Sequence, residues 1–111
     1  MKSFGRIQKG LQAEARVEKD LQQKGWVKLA ARHRDLGVEV DLLMQSPEGD
    51  IYLIEVKHLA RNWCFENLIS QHQIKRLLMA AARLESRTQK TPRLMIAAAG
   101  QNTEVFYFTD L

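Results

Sequence analysis

The sequence has a single cysteine, Cys64, among 111 residues. One thiol excludes an internal disulfide, and with it the disulfide-stapled class of small secreted domains. It also excludes a thiolate zinc site, which needs several cysteines or histidines at ligand spacing. Cys64 is therefore expected to be a semi-buried thiol in a reducing cytoplasm. His33 and His72 have no ligand-spaced partners, so histidine does not restore the case for zinc. The stretch "MKSFGRIQKGLQAEARVEKD" lacks the apolar core of a signal peptide. No apolar run approaches the length that spans a bilayer. The expectation is a cytoplasmic protein with no membrane contact. Internal repeats and low-complexity segments are missing too.

The remaining composition is that of an ordinary globular domain, 45% apolar and 27% charged. A chain of this size can bury a real core without staples. We expect one domain over residues 1–111, with residues 1–9 carrying no strong pattern and expected to be loose. Seventeen Lys and Arg against 13 Asp and Glu leave a formal charge of +4. That excess leans toward a polyanionic partner such as nucleic acid without establishing one.

The pattern along the chain predicts seven elements. Leu11, Ala15, Val17 and Leu21 suit an amphipathic helix that Gly25 would end. "GWVKLAARHR" reads as a strand. "VEVDLLM" alternates and then turns apolar, as a strand does on entering a core. "SPEGD" is a turn and "IYLIEVK" the next strand. "HLARNWCFEN" is an irregular connector. A second helix follows in "ISQHQIKRLLMAAARLESR". Ser70 is its expected N-cap, with an apolar stripe of Ile74, Leu77, Leu78, Ala81 and Leu84. After Thr91-Pro92, "RLMIAAA" and "VFYFTDL" read as closing strands. The expected fold is mixed α/β, with the first three strands an antiparallel meander.

The chemistry concentrates in "GVEVDLLMQSPEGDIYLIEVKHL". Asp41 and Glu55 interrupt apolar runs on the two strands of one hairpin. Paired strands lie about 4.8 Å apart, so facing carboxylates can converge on one ion. Two carboxylates, a backbone carbonyl, waters and a substrate phosphate suit Mg²⁺, a hard cation with octahedral demands. Lys57 shares the face of Glu55 by the period of two. Its ammonium is placed to orient or help deprotonate an attacking water and to offset charge on a phosphoryl-transfer transition state. The alternative is a solvated face with a weak surface ion pair. Against it, carboxylates set among Val40, Leu42, Ile54 and Val56 are costly to bury unless paired or metal-bound.

"GVEVDLL" followed by "YLIEVKHL" resembles the PD-(D/E)xK, restriction-endonuclease-like nuclease superfamily. It is most similar to the small YraN-like, Holliday-junction-resolvase-like proteins, over roughly residues 11–84. The resemblance implies an α/β restriction-endonuclease-like fold, a mixed sheet in αβββαβ(β) order with a helix on each side. It implies Asp41 and Glu55 as metal ligands, with the Val56 carbonyl a further one, and Lys57 as the catalytic lysine. Glu14 would be an additional acid and metal ligand reaching the site from the first helix, directly or through water. Gln73 would orient water or phosphate. Glu39 shares the face of Asp41 and is either a supporting acid or the partner of an arginine. The sequence departs from its relatives in having a single glycine, Gly37, before the motif, and His58-Leu59 after it.

Basic residues flank these positions. Arg32, His33 and Arg34 precede the hairpin, while His72, Lys75, Arg76, Arg83 and Arg87 lie on the second helix. All are candidates for phosphate contact, with Arg32, Arg34, His72, Lys75 and Arg76 the preferred set. Trp63 and Phe65 are either a stacking wedge or, by the stronger expectation, a core edge or dimer contact. The implied function is hydrolysis of DNA phosphodiesters with Mg²⁺ or Mn²⁺, on branched or structured DNA if the resemblance to junction resolvases extends that far. Junction cutting needs two sites and so implies a homodimer. The rival readings are a catalytically inactive nucleic-acid- or protein-binding module, and a subunit of a larger nuclease or repair assembly.

Overall fold

Ala13, Val17 and Leu21 recur every four residues and are all buried, which makes one apolar stripe along the first helix, α1 (Lys2–Gln23). The computed structural model describes residues 2–59, 64, 68–102 and 104–109, with residues 2–9 described by backbone alone. The helix starts at Lys2 rather than near Leu11, so residues 2–9 are helical where a loose lead-in is expected. Gly5 and Gly10 break the apolar periodicity there without preventing the helix. Its end is a Schellman cap. The Trp26 N–H donates to the Leu21 carbonyl at 3.0 Å and the Gly25 N–H to the Gln22 carbonyl at 3.1 Å, with Gly25 at φ +91°.

The strands are β1 (Val27–His33), β2 (Val40–Gln45), β3 (Ile51–His58), β4 (Arg93–Ala99) and β5 (Val105–Phe108), with α2 (Gln71–Thr88) between β3 and β4. They form one mixed sheet in the order β1-β2-β3-β4-β5. Only β3 and β4 are parallel, joined by the α2 crossover. The β2–β3 turn carries Pro47 and Gly49. The Gly49 N–H donates to the Ser46 carbonyl at 2.9 Å, and the Asp50 N–H to Ser46 Oγ at 3.1 Å.

The two helices cover opposite faces. Val17 and Leu21 of α1 pack on Leu42, Met44, Ile54, Met95 and Ala97. Ala80 of α2 packs with Leu36, Val40, Leu43 and Leu53 on the other side. Alternate residues of β2 and β3 thus serve different layers, which is why both strands read as apolar runs. Ser70 caps α2 as expected, and its Oγ accepts the Gln73 N–H. Leu78 departs from the expected stripe and is exposed. The buried line runs through Leu77 and Ala80, with Ala81 and Leu84 beside it. Cys64 is also exposed rather than semi-buried. Trp63 and Phe65 lie outside the described residues.

Arg83 and Arg87, expected among the phosphate-facing cations, are tied into the fold instead. Arg83 donates to the Leu36 carbonyl at 2.6 Å and Arg87 to the Asp35 carbonyl at 2.9 Å. These bonds pin the β1–β2 loop to α2 immediately before Asp41. Gly37 lies beneath the Arg83 guanidinium at φ +83°, where an added Cβ would sit 1.5 Å from Nη1. Gly37→Ala is therefore expected to destabilise the protein by about 2 kcal/mol, from left-handed strain plus a displaced hydrogen bond. Urea unfolding checks this, and a change under about 0.5 kcal/mol would mean that the clamp is dispensable.

Candidate active site

Strands β2 and β3 pair from Gln45↔Ile51 up to Leu42↔Ile54 and then part. Beyond that point β2 continues against β1 and β3 against β4. In the notch, the Asp41 carboxylate takes the place of a ladder acceptor and receives the Val56 N–H at 2.8 Å. A residue in extended backbone turns its N–H and C=O to the same edge, so the Val56 carbonyl also lies on the notch side. One Asp41 oxygen is thus fixed while the other remains for a ligand.

Glu55 follows Leu53 by two and shares its face, toward α2. Asp41 and Glu55 line an open cleft of about 180 Å³ with Val38, Glu39, Gln73, Arg76 and Leu77. Lys57 Nζ lies 3.4 Å from Glu55 Oε1, and both side chains are mostly covered. The structure therefore brings Asp41, Glu55, Lys57, Gln73 and Arg76 to one place.

Other expected residues have more qualified positions. Gln73 Oε1 accepts the Ser70 N–H at 3.0 Å, closing a capping box. That fixes the side chain and leaves its Nε2 donors for the cleft. Glu39 lines the cleft and also meets Arg34 at 3.6 Å, the arginine pairing that was one of its two expected roles. His72 and Lys75 are exposed on the first turns of α2. Glu14 comes from α1, on the opposite side of the sheet, and is held by Arg32 at 3.2 Å. It lines a second depression with Leu11, Glu18, Lys28, Arg32 and Leu42. Among the described residues no three His, Cys, Asp or Glu side chains gather as a ready metal cluster.

The electrostatics follow from burial. Glu55 is pushed up to about 7, first by loss of water and then by the Asp41 charge, against the pull of Lys57 and Arg76. Burial also raises Asp41, while the Val56 N–H, Lys57 and Arg32 draw it back and Glu39 adds to the rise. Glu14 is raised by burial and then by Asp41, with Arg32 opposing. Asp41 and Glu55 are thus held against their ionised forms around one notch, with Glu14 shifted the same way on the α1 side, and a cation in the notch is what would relieve that. The donor set fits a hard divalent ion: Asp41, Glu55 and the Val56 carbonyl would hold it, leaving positions for water and substrate oxygens. Glu14 joins that set only by leaving Arg32.

Sequence reasoning did not reveal the Arg32–Glu14 pair or the left-handed backbone of Arg32 at φ +46°. No local signal marks either feature, since Arg in a strand pattern gives no hint of positive φ.

A family model described as Uncharacterised protein family UPF0102 matches residues 13–99, a span that includes Glu14, both strands of the notch and the whole of α2. Comparison with curated proteins gives no match.

Proposed function

We propose, for a chain that belongs to family UPF0102 and through it to the restriction-endonuclease-like superfamily, that the notch hydrolyses DNA phosphodiester bonds with Mg²⁺ or Mn²⁺. One observation carries this reading. Two mostly covered carboxylates face one cleft at the point where their strands separate, beside a lysine and an arginine. A packing role does not need that arrangement, and burial makes it costly.

Each residue has a chemical task in this reading. Asp41, anchored by Val56, and Glu55 present oxygens to the cation. When bound, the cation polarises a phosphoryl oxygen and neutralises charge there. Lys57 keeps an ammonium where the attacking water approaches, orienting it and offsetting transition-state charge. Gln73 Nε2 and Arg76 meet phosphate oxygens in the cleft, and His72, Lys75, Arg32 and Arg34 extend the positive surface along the backbone. Branched DNA is the substrate class that the YraN-like resemblance favours. A homodimer would supply its second site, and a larger repair assembly is the alternative setting. No helix among the described residues is long and apolar enough to cross a membrane, and we place the activity in the cytoplasm.

A second reading has its own support. Glu14 already has Arg32 and Glu55 already has Lys57, so a binding module could keep these acids neutralised internally. Cleavage of a panel of linear duplex, single strand, flap and four-way junction, in Mg²⁺, Mn²⁺ or EDTA, decides between the two. Cutting that needs the metal supports the nuclease, and the preferred panel member names its substrate. Tight binding without cutting in either metal would favour the module.

A further inference from the structure

Two non-glycine residues among those described have positive φ. Gln89 at φ 62° is the C-cap of α2, where the left-handed conformation is ordinary. Arg32 at φ 46° lies inside β1, where it is not. The register explains its importance. Ala31 pairs Leu42 and His33 pairs Val40, so Arg32 stands opposite Asp41. Leu42 pairs Ile54 on the other side, which brings Glu55 level with Asp41. Arg32, Asp41 and Glu55 therefore form one row across three strands, at the point where the β2–β3 ladder opens. The unusual turn at Arg32 directs its guanidinium to Glu14, 3.2 Å away on α1. Arg32 remains half exposed, while only 17% of the Glu14 side chain is accessible.

A mostly covered carboxylate on α1, near enough to Asp41 for the two charges to oppose each other, is thus held by an arginine that is half exposed. An arginine fork can bind phosphate through two parallel charge-assisted bonds, whereas Arg32 meets Glu14 through Nη1 alone. Lys28, the other cation lining that depression, is held by Glu18 at 2.8 Å, so a cation bound by Asp41 and Glu55 would be the alternative partner for a released Glu14.

We propose that Arg32 is a positioning residue that acts through Glu14. In the free protein it latches Glu14 away from the cation. A substrate phosphate takes the guanidinium, Glu14 is released toward Asp41, and cation and DNA binding become coupled. The proposal rests on reading Asp41 and Glu55 as cation ligands.

Its test is a cycle of four proteins titrated with Mn²⁺ alone: wild type, Arg32→Gly, Glu14→Gln and the double variant. Glycine suits the backbone at this position, and Arg32→Gln serves as a second variant that keeps the side-chain length. The latch predicts that Arg32→Gly binds Mn²⁺ about tenfold more tightly than wild type, and that the gain disappears when Glu14 is also changed. A gain of the same size in the double variant would be a plain charge effect and would overturn the latch. Unchanged affinity in Arg32→Gly would overturn it too. No Mn²⁺ uptake by any of the four would overturn both the latch and the reading beneath it. In EDTA, a labelled duplex should bind Arg32→Gly with a salt slope lower by about one than wild type. An unchanged slope would refute the exchange onto phosphate.

Discussion

Lys57→Ala is expected to lower Mg²⁺-dependent DNA cleavage about a thousandfold while the fold is retained. The ammonium sits 3.4 Å from Glu55, which lines the cleft, on β3, whose pairing with β4 through Lys57↔Ala98 holds the backbone in place. Alanine leaves that ladder intact and removes the charge that, in the proposed reaction, serves both water and transition state. Losing the cation partner raises Glu55 further, so the site takes up a proton rather than unfolding. Asp41→Asn should cause a loss of similar size by a different route. Its Oδ1 can still accept the Val56 N–H, so the notch persists, but the anionic ligand is gone. Single-turnover rates at saturating Mg²⁺ check both variants. A Lys57→Ala rate within tenfold of wild type would reduce Lys57 to a structural ion-pair partner of Glu55.

The second large effect is on stability against pH. Glu55 is raised to about 7 in the folded protein from an ordinary 4.5, chiefly by burial and then by Asp41. The folded state thus binds this proton more tightly than the unfolded chain does. The resulting stability is full below pH 4.5 and is lost as pH rises through 7. A shift of this size corresponds to about 3 kcal/mol between the two limits. Asp41 and Glu14 shift in the same direction. Asp20 shifts oppositely, lowered by its hydrogen bond from Tyr107, and it destabilises only on acidification below its ordinary 3.8. The metal-free protein should therefore melt higher at pH 5 than at pH 8. Glu55→Gln should flatten that difference and raise the pH 8 melting temperature by about 10 °C. Melting curves in EDTA across this range are the check. A wild type that is more stable at pH 8 than at pH 5 would mean that Glu55 is not desolvated as the notch requires.

The frame of this site was legible residue by residue. The period of two in "VEVDLLM" and "IYLIEVK", with Pro47 and Gly49 between them, fixes the hairpin and sets Asp41 level with Glu55. Gly25 and Ser70 mark helix ends through local backbone needs. Other features depend on residues far apart in the chain. The parting of β2 from β3 has no sequence signature, because it consists of an Asp41 side chain replacing a ladder acceptor. Arg83 and Arg87 look like any solvated basic face until the loop carbonyls of Leu36 and Asp35 arrive beneath them. Leu78 fits the helical period as well as Leu77 does, and only the placement of α2 over Leu43 and Leu53 separates them. Glu14 was visible as a helix acid by family resemblance, but its arginine was not. The N-terminal reach of α1 was hidden by two glycines that a long helix tolerates at modest cost.

The claim on which the account depends is that the notch between β2 and β3 is a divalent-cation site built on Asp41 and Glu55. Calorimetric titration of Mn²⁺ at pH 7.5 into wild type, Asp41→Asn and Glu55→Gln tests it most directly. The account predicts saturable binding by the wild type and its loss in both variants, each still folded. Equal binding by all three proteins, or none by the wild type at millimolar Mn²⁺, would contradict it.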